Sequence, residues 1–261
     1  MSGFRSEVST GWRVYGLGVV AIGLVGLLSR DFILGQTVPA GLPGRAVLAD
    51  VAALLMLAAG IAMEWRRTAT FAATVLAVYL GLFVIVLMNG ALLLKHYAEY
   101  GAYFGVAEQT SILAGALMVI AASSNLERGR ALLLVRVGRI ALGVCVVFFG
   151  GAHFVYMGMT APLVPKWLPF SGVFWGYVTG VCFIAAGVAL MTGVLARLAA
   201  MLLVVMLGMF ALMVHVPALV AKRSVFNWTE LVINFAIMGV AWVVADSLVW
   251  ANAKEADPLR G

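Results

Sequence analysis

Long apolar segments are the feature that most constrains this chain. A helix rises about 1.5 Å per residue, so about 20 apolar residues cross the roughly 30 Å hydrocarbon core of a bilayer. Segments of this kind span residues 12–29, 46–64, 69–94, 109–125, 135–157, 172–192, 197–217 and 228–250. The sequence therefore predicts an all-α, polytopic membrane protein with eight transmembrane helices.

The composition excludes a water-soluble protein. Hydrophobic residues make up 64% of the chain and charged residues 11%, whereas soluble domains are about half apolar and about a quarter charged. The net charge of +6 comes from basic residues between the apolar segments. That placement is typical of topology signals and contacts with anionic lipid headgroups. We therefore expect the lipid bilayer as a partner and no nucleic acid.

The basic residues also predict an orientation. We name side A the membrane side that carries both termini, and side B the opposite side. Side A carries Arg5, Arg13, Arg66, Arg67, Arg128, Arg130, Arg136, Arg139, Arg197, Lys254 and Arg260. Side B carries Arg30, Arg45, Lys95, Lys166, Lys222 and Arg223. Because lysine and arginine accumulate in cytoplasmic loops, both termini are expected in the cytoplasm.

An internal repeat divides the chain into two halves. Three pairs of segments match in order, at offsets of 126 or 127: 37–43 with 163–169, 58–63 with 185–190, and 80–83 with 207–210. We expect four-helix repeats over residues 1–125 and 126–261. An even number of crossings gives both repeats the same orientation, related by a pseudo-twofold axis along the membrane normal. Glu108 and Glu230, each expected to open the fourth helix of its half, correspond less firmly.

Polar side chains lie near side B of the second half. Polar groups in apolar segments are energetically costly and often mark functional sites. Three prolines stiffen the neighbouring segment 161–169, which indicates that this segment covers the polar residues as a lid. The candidates for a ligand pocket are His153, Trp167, Tyr177, His215, Glu230 and Asn234.

Four interpretations of this cluster stay open. In the first, the side chains only set helix packing through hydrogen bonds. In the second, they bind a quinone-like ligand, since a neutral histidine can donate to a carbonyl and a carboxylate can exchange a proton. A metal or haem site would use His153, Met157 or His215, a ligand set that fits copper(I) or axial haem ligation. A transport path is disfavoured by the nearly apolar side A half of most segments.

The first half carries a different polar set near side B. Its members are Asp50, Asn89 and Glu108. The repeat places Leu27 opposite His153 and Met88 opposite His215, so at most one active pocket is expected. Asp50 lies just inside its segment and is expected to form an ion pair with Arg30 or Arg45.

Three segments of the second half, 150–154, 164–169 and 215–219, read GGAHF, VPKWLP and HVPAL. On these segments, residues 138–247 resemble the DoxX-like family of bacterial membrane proteins. The resemblance implies a four-helix unit in the bacterial inner membrane, with a quinone-linked or redox-accessory role and a redox partner subunit. The chain departs from the family pattern at Cys182, where a carboxylate is expected.

These observations lead to one leading hypothesis and two competitors. We expect a redox-associated or quinone-linked accessory protein with a periplasm-facing pocket. The first competitor is a non-enzymatic protein that binds a lipid-like molecule or a partner subunit, and the second is a transporter. Glycine-rich helix faces permit a homodimer.

Overall fold

Helices form nearly all of the chain in the computed structural model, which describes the backbone of residues 9–255 and side chains up to residue 249. The long helices are α1 Thr10–Ser29, α2 Arg45–Met63, α3 Arg66–Lys95, α4 Tyr100–Ser123, α5 Arg128–Val155, α6 Gly172–Thr192, α7 Ala196–Ala221 and α8 Val225–Glu255. Each has the length and apolarity to cross a membrane, which confirms the all-α, polytopic fold class. Arg5, Arg260 and the Lys254 side chain lie outside the described residues.

Two helices begin earlier than the sequence predicted. Helix α4 starts at Tyr100 instead of residue 109, and α5 starts at Arg128 instead of residue 135. An apolar run in the sequence marks only the lipid-embedded part of a helix. In α4 the run is interrupted by Glu108 and Gln109, so the predicted start was too late. Glu108 therefore lies about two turns inside α4 and does not open it.

The eight helices form a closed ring in which each packs against the next along the chain and α8 packs back against α1. Helices α4 and α8 also pack against each other across the centre and are the most buried of the described helices. The packing partners are also equivalent: α1 packs on α2 and α8, as α5 packs on α6 and α4. The division into two parallel repeats stays a prediction.

A glycine crossing occurs at the same place in each half. In the first half, a Cβ on Gly60 would lie 2.9 Å from the carbonyl oxygen of Gly16. In the second, a Cβ on Gly143 would lie 2.9 Å from the carbonyl oxygen of Gly187. The two pairs are separated by the same offset, 127. Small residues at a crossing let the helix backbones approach closely, as is usual in membranes.

A π-helical segment interrupts the third helix of each half. It spans Tyr79–Asn89 in α3 and Ala211–His215 in α7. The offset of 127 carries residues 84–88 onto 211–215, so the two irregularities overlap. π-Helical turns are rare and occur frequently at functional sites. Both segments lie in the side B half of their helices, where the polar residues are concentrated.

Candidate functional site

The loop between α1 and α2 folds into the first half of the bundle. We name residues 32–38 the plug. Within it, Ile33 is 5% exposed and Gln36 6% exposed. The Thr37 hydroxyl donates a hydrogen bond of 3.0 Å to the carbonyl oxygen of Met88, and Asn89 Nδ2 donates one of 2.7 Å to the carbonyl oxygen of Gly35. The plug therefore occupies the interior next to the π-helical segment of α3.

Polar side chains from two further helices hold the plug. Gln109 Nε2 on α4 donates to the carbonyl oxygen of Leu34 over 3.0 Å. Gln36 Nε2 lies 3.5 Å from the sulfur of Met56 on α2. The amide of Asn89 also donates to the carbonyl oxygen of Val84 over 2.9 Å. Asn89 thus has a structural role, because its side-chain amide donates hydrogen bonds to a carbonyl oxygen of the plug and to one of the π-helical segment.

Two ion pairs fix the ends of the plug loop. Arg30 Nη2 lies 2.8 Å from Asp50 Oδ2, so Asp50 is paired with one of the two partners expected from the sequence. Arg45 pairs with Asp31. Because both pairs are partly exposed, they are worth at most about 1 kcal/mol each, and their role is to orient the loop.

The corresponding loop of the second half stays outside the bundle. No residue between 156 and 171 is buried. Met157 packs its sulfur over Gly176, and the indole nitrogen of Trp175 donates to the carbonyl oxygen of Pro169 over 2.6 Å. The loop thus covers the start of α6, and within residues 126–249 no segment corresponds to the plug.

Aromatic rings surround His153 in the second half. The imidazole centroid lies 5.3 Å from that of Phe183 on α6 and 6.3 Å from that of Phe210 on α7, nearly parallel to the latter ring. Phe149, one turn earlier on α5, contacts Phe183 at 6.2 Å. We name Phe149, His153, Phe183 and Phe210 the aromatic cleft. Its outer members, His153 and Phe210, are partly exposed.

The hydrogen bond of His153 determines what its ring can offer. Nδ1 lies 2.9 Å from the carbonyl oxygen of Phe149. A carbonyl only accepts, so Nδ1 carries the proton and the Nε2 of a neutral imidazole is an acceptor. Nε2 has no partner among the described residues. The cleft therefore presents one hydrogen-bond acceptor within an apolar, aromatic surrounding.

The glycine crossings correct the residue matched to His153. An offset of 127 pairs His153 with Gly26, not with Leu27. The contacts with neighbouring helices agree with this pairing. A Cβ on Gly26 would lie 2.9 Å from the Cβ of Ala53, and the same offset pairs Ala53 with Gly180. A Cβ on Gly180 would in turn lie 3.0 Å from the Cβ of His153. Ile33 of the plug lies 3.8 Å from that position on Gly26. A plug residue thus contacts the position that corresponds to the Cβ of His153 in the second half.

His215 ends the π-helical segment of α7 and is partly buried. It makes no hydrogen bond, ion pair or ring contact with another described residue. The equivalent residue in the first half is Met88, whose carbonyl oxygen receives the Thr37 hydroxyl of the plug. His215 therefore sits at the level that the plug occupies in the first half.

One face of α8 runs along the π-helical segment of α7. Asn234 Nδ2 donates to the carbonyl oxygen of Leu207 over 2.9 Å, and Asn227 Nδ2 donates to that of Ala218 over 3.1 Å. Glu230 lies between these two asparagines on the same face, since residues three and four apart are neighbours on a helix. Glu230 therefore lies on the face of α8 that packs along α7, the helix that carries His215.

Glu108 approaches the same region from α4. It is 6% exposed, and its helix packs directly against α8, which carries Glu230. Neither carboxyl has a hydrogen bond or an ion pair with a described residue. The structure thus packs the helix of one first-half candidate against the helix of a second-half candidate, which the sequence did not predict.

Three other candidates lie away from this interior. Trp167 is 71% exposed in the loop, and Tyr177 is 47% exposed on the outer face of α6, where it packs against Phe154. Met157 packs over Gly176 as described above. Over residues 9–249, no group of three or more His, Cys, Asp and Glu side chains is arranged to hold a metal ion.

The phenylalanines of the aromatic cleft were missed by the sequence interpretation. Phenylalanine is common in membrane helices, so Phe183 and Phe210 carried no separate signal. Phe149 did carry one, because it precedes His153 by four residues and shares its helix face.

Comparison with known proteins gives one match. Residues 142–245 match the model of a family described as a domain of unknown function, DUF8561. The matched segment contains the whole aromatic cleft, His215, Glu230 and Asn234. No curated protein matches the chain, and no solved structure does. The resemblance to the DoxX-like family stays a prediction.

Proposed function

We propose that this chain is a multi-pass protein of the bacterial inner membrane that binds a quinol-like molecule in the aromatic cleft and serves as a membrane component of a redox system. The observation that carries the proposal is His153, whose unpartnered Nε2 lies among Phe183 and Phe210. An aromatic ring with a hydroxyl group matches these aromatic surroundings and offers the donor that Nε2 lacks.

The hydrogen bond to Phe149 favours the reduced form of such a ligand. Nε2 of the neutral imidazole accepts a hydrogen bond, which a quinol hydroxyl donates and a quinone carbonyl does not. This refines the sequence hypothesis, in which the histidine was the donor. His215 on α7 and Glu230 on the neighbouring helix α8 provide further polar groups for the ring substituents or for a proton.

Access from the bilayer supports an amphipathic ligand. Helices α6 and α7 have the smallest buried share of the spanning helices in residues 9–249, so their faces meet lipid. Residues 193–195 join them tightly on side A, and α6 contacts α5 much more extensively than it contacts α7. A lipid-soluble ring would therefore enter between α6 and α7 on side B, where no plug is present.

The distribution of basic residues predicts which side of the membrane this entrance faces. With side A in the cytoplasm, the aromatic cleft faces the periplasmic leaflet. The described residues form no soluble domain, so electrons would pass to or from a partner subunit. A lipid-like ligand without a redox-active ring is the competing occupant.

The proposal is tested by binding a short-chain quinol and the matching quinone to the protein in lipid nanodiscs. We expect the quinol to bind more tightly. His153→Phe keeps the ring stacking and removes Nε2, so the quinol affinity falls by the value of one hydrogen bond, about 0.5–1.5 kcal/mol, or roughly 2- to 12-fold in Kd.

Equivalent positions in the two halves provide the control. His215→Ala should weaken quinol binding, whereas Met88→Ala, at the equivalent position behind the plug, should not. Extraction of the natively purified protein followed by mass spectrometry identifies the resident molecule. A co-purified lipid without a redox-active ring, together with equal affinities for quinol and quinone in all variants, would refute the proposal.

A further inference from the structure

One hydrogen bond between helices occurs at the same place in both halves, with different donors. In the first half, the indole nitrogen of Trp12 on α1 donates to the carbonyl oxygen of Met63 at the end of α2, over 2.8 Å. At an offset of 127, a guanidinium nitrogen of Arg139 on α5 donates to the carbonyl oxygen of Leu190 near the end of α6. A neutral donor is therefore sufficient for this contact, and the positive charge of Arg139 is not needed for it.

The guanidinium group of Arg139 lies beside the turn that joins α6 to α7 on side A. A Cβ on Gly193 in this turn would lie 3.1 Å from Nη1 and 3.6 Å from Nη2, so the glycine leaves room for the charged group. The bond to Leu190 uses one of the five N–H donors of a guanidinium group. Among the described residues, no carboxylate pairs with Arg139, so its other donors are available to a further acceptor.

A second arginine lies on the same face of α5. Arg136 precedes Gly143 by seven residues, or about two helical turns, and Gly143 contacts Gly187 of α6. Because α5 and α6 are antiparallel, seven residues beyond Gly187 lead to position 194, and Arg136 is level with the turn between α6 and α7. Arg136 is exposed and makes no ion pair with a described residue. It is also a helix neighbour of Arg139, three residues away.

Apolar side chains border these two arginines. In the same turn, Val194 is 68% exposed and Leu195 is 70% exposed. Arginine binds phosphate oxygens through two parallel N–H groups, and basic pockets between transmembrane helices bind lipid headgroups. An anionic phospholipid provides both a phosphate for the arginines and acyl chains for the apolar side chains.

We propose that Arg136 and Arg139 bind the headgroup phosphate of one anionic phospholipid on side A, while Val194 and Leu195 contact its acyl chains. A topology signal requires only exposed charge, whereas Arg139 is partly buried at a helix contact.

The offset of 127 places Ser9 and Trp12 at the positions of Arg136 and Arg139, so we expect one such site per chain. The site lies at the opposite end of α5 from the aromatic cleft, and the proposal does not depend on the ligand of the cleft.

Native mass spectrometry of the full chain in detergent tests this site by titration with phosphatidylglycerol or with phosphatidylethanolamine of the same acyl chains. The wild type should bind the first phosphatidylglycerol more tightly than phosphatidylethanolamine. Arg139→Trp copies the first half, since it keeps a donor for Leu190 and removes the charge, and Arg136→Gln removes the exposed charge. Each variant should weaken phosphatidylglycerol binding by about 5-fold, the effect of one basic residue on an anionic lipid.

Arg67→Gln provides the control, because Arg67 is exposed on side A of the first half and makes no ion pair with a described residue. Its phosphatidylglycerol affinity should match the wild type. Arg136→Gln decides alone if Arg139→Trp does not fold. Equal affinities of the wild type for the two lipids, or equal losses in Arg67→Gln and Arg136→Gln, overturn the proposal. Displacement of the lipid by millimolar inorganic phosphate also overturns it, because the site would then bind a free anion.

Discussion

Glu64 shows how a single residue on side A adapts to close helix packing. It follows the last residue of α2, and its Oε1 is buried without a hydrogen-bond partner. A Cβ on Gly16 would collide with that oxygen, so the glycine makes room for the carboxyl group. Burial raises the pKa of Glu64, and the positive charge of Arg13 opposes this rise.

Glu64→Gln should stabilise the protein at neutral pH and not at acidic pH. Because the pKa of Glu64 is raised on folding, the stability linked to this group is present below the unfolded value, about 4.3, and is lost as the pH rises through the folded value. The neutral amide avoids that loss. We expect the Tm of the variant to match the wild type near pH 4 and to exceed it at pH 7.

A thermal unfolding series over this pH range measures the difference. Glu99→Gln, on an exposed loop beside His96, controls for the loss of a surface carboxylate. If the Tm difference is constant with pH, then burial of the Glu64 charge is not its cause.

At the scale of single residues, the sequence predicted where polar side chains lie along the helices better than it predicted which groups they contact. Asp50 pairs with Arg30 as expected, since ion pairs follow from charge and proximity along the chain. The packing of α4, which carries Glu108, on α8, which carries Glu230, was not predictable, because it depends on the tertiary arrangement of all the helices. The tautomer of His153 likewise depends on the helix geometry that presents the Phe149 carbonyl.

At the scale of helices, glycines decide how closely neighbours approach. Helices α5 and α6 cross at Gly143 and Gly187, and a Cβ on Gly187 would lie 2.6 Å from the Gly143 carbonyl oxygen. The obstructing atom belongs to the backbone and cannot rotate away. The two helices must therefore separate if a side chain is added here.

Gly187→Ala should lower the free energy of unfolding by about 1–3 kcal/mol, the usual penalty for overpacking. Gly208→Ala on α7 is the control, because its Cβ would meet only the Met238 sulfur at 3.7 Å. Alanine is the better helix former by about 1 kcal/mol, so the control should be neutral or stabilising. Chemical denaturation in detergent measures both, and equal effects would mean that the crossing is not tightly packed.

Helix positions were predictable, and helix ends were less so. Apolar length determines which segments cross a bilayer, and that property is local. The first nine residues of α4 were missed because this helix is shielded by its neighbours and tolerates Glu108 and Gln109. The plug was also missed, since polar loop residues such as Gln36 and Thr37 normally predict an exposed loop.

At the scale of the whole molecule, the two halves share one core. Helix α1 packs on α8 and α4 packs on α5, so each half contacts the other through two pairs of helices besides the central one. Asp246 Oδ2 on α8 accepts a hydrogen bond of 3.2 Å from the backbone N–H of Gly11 in the first turn of α1. The two predicted repeats therefore pack as a single unit.

Residues 1–125 and 126–261, expressed together as separate chains, should therefore assemble and co-purify. Each half alone leaves the contact faces of two helices uncovered, and we expect it to aggregate or to pair with itself. Affinity purification through a tag on one half, followed by size-exclusion chromatography, measures the assembly. Two halves that are separately stable and do not associate would contradict a shared core.

The plug has a consequence for binding stoichiometry. A twofold arrangement of identical halves would present two equivalent sites, and ligand binding at one could alter affinity at the other. Here Ile33 is buried and contacts the position on Gly26 that is equivalent to His153, so the plug lies against the equivalent place in the first half. On the proposed function, one chain therefore binds one ligand, with a hyperbolic isotherm and no cooperativity between halves. Excision of the plug would convert the chain into a two-site protein whose first site lacks an imidazole.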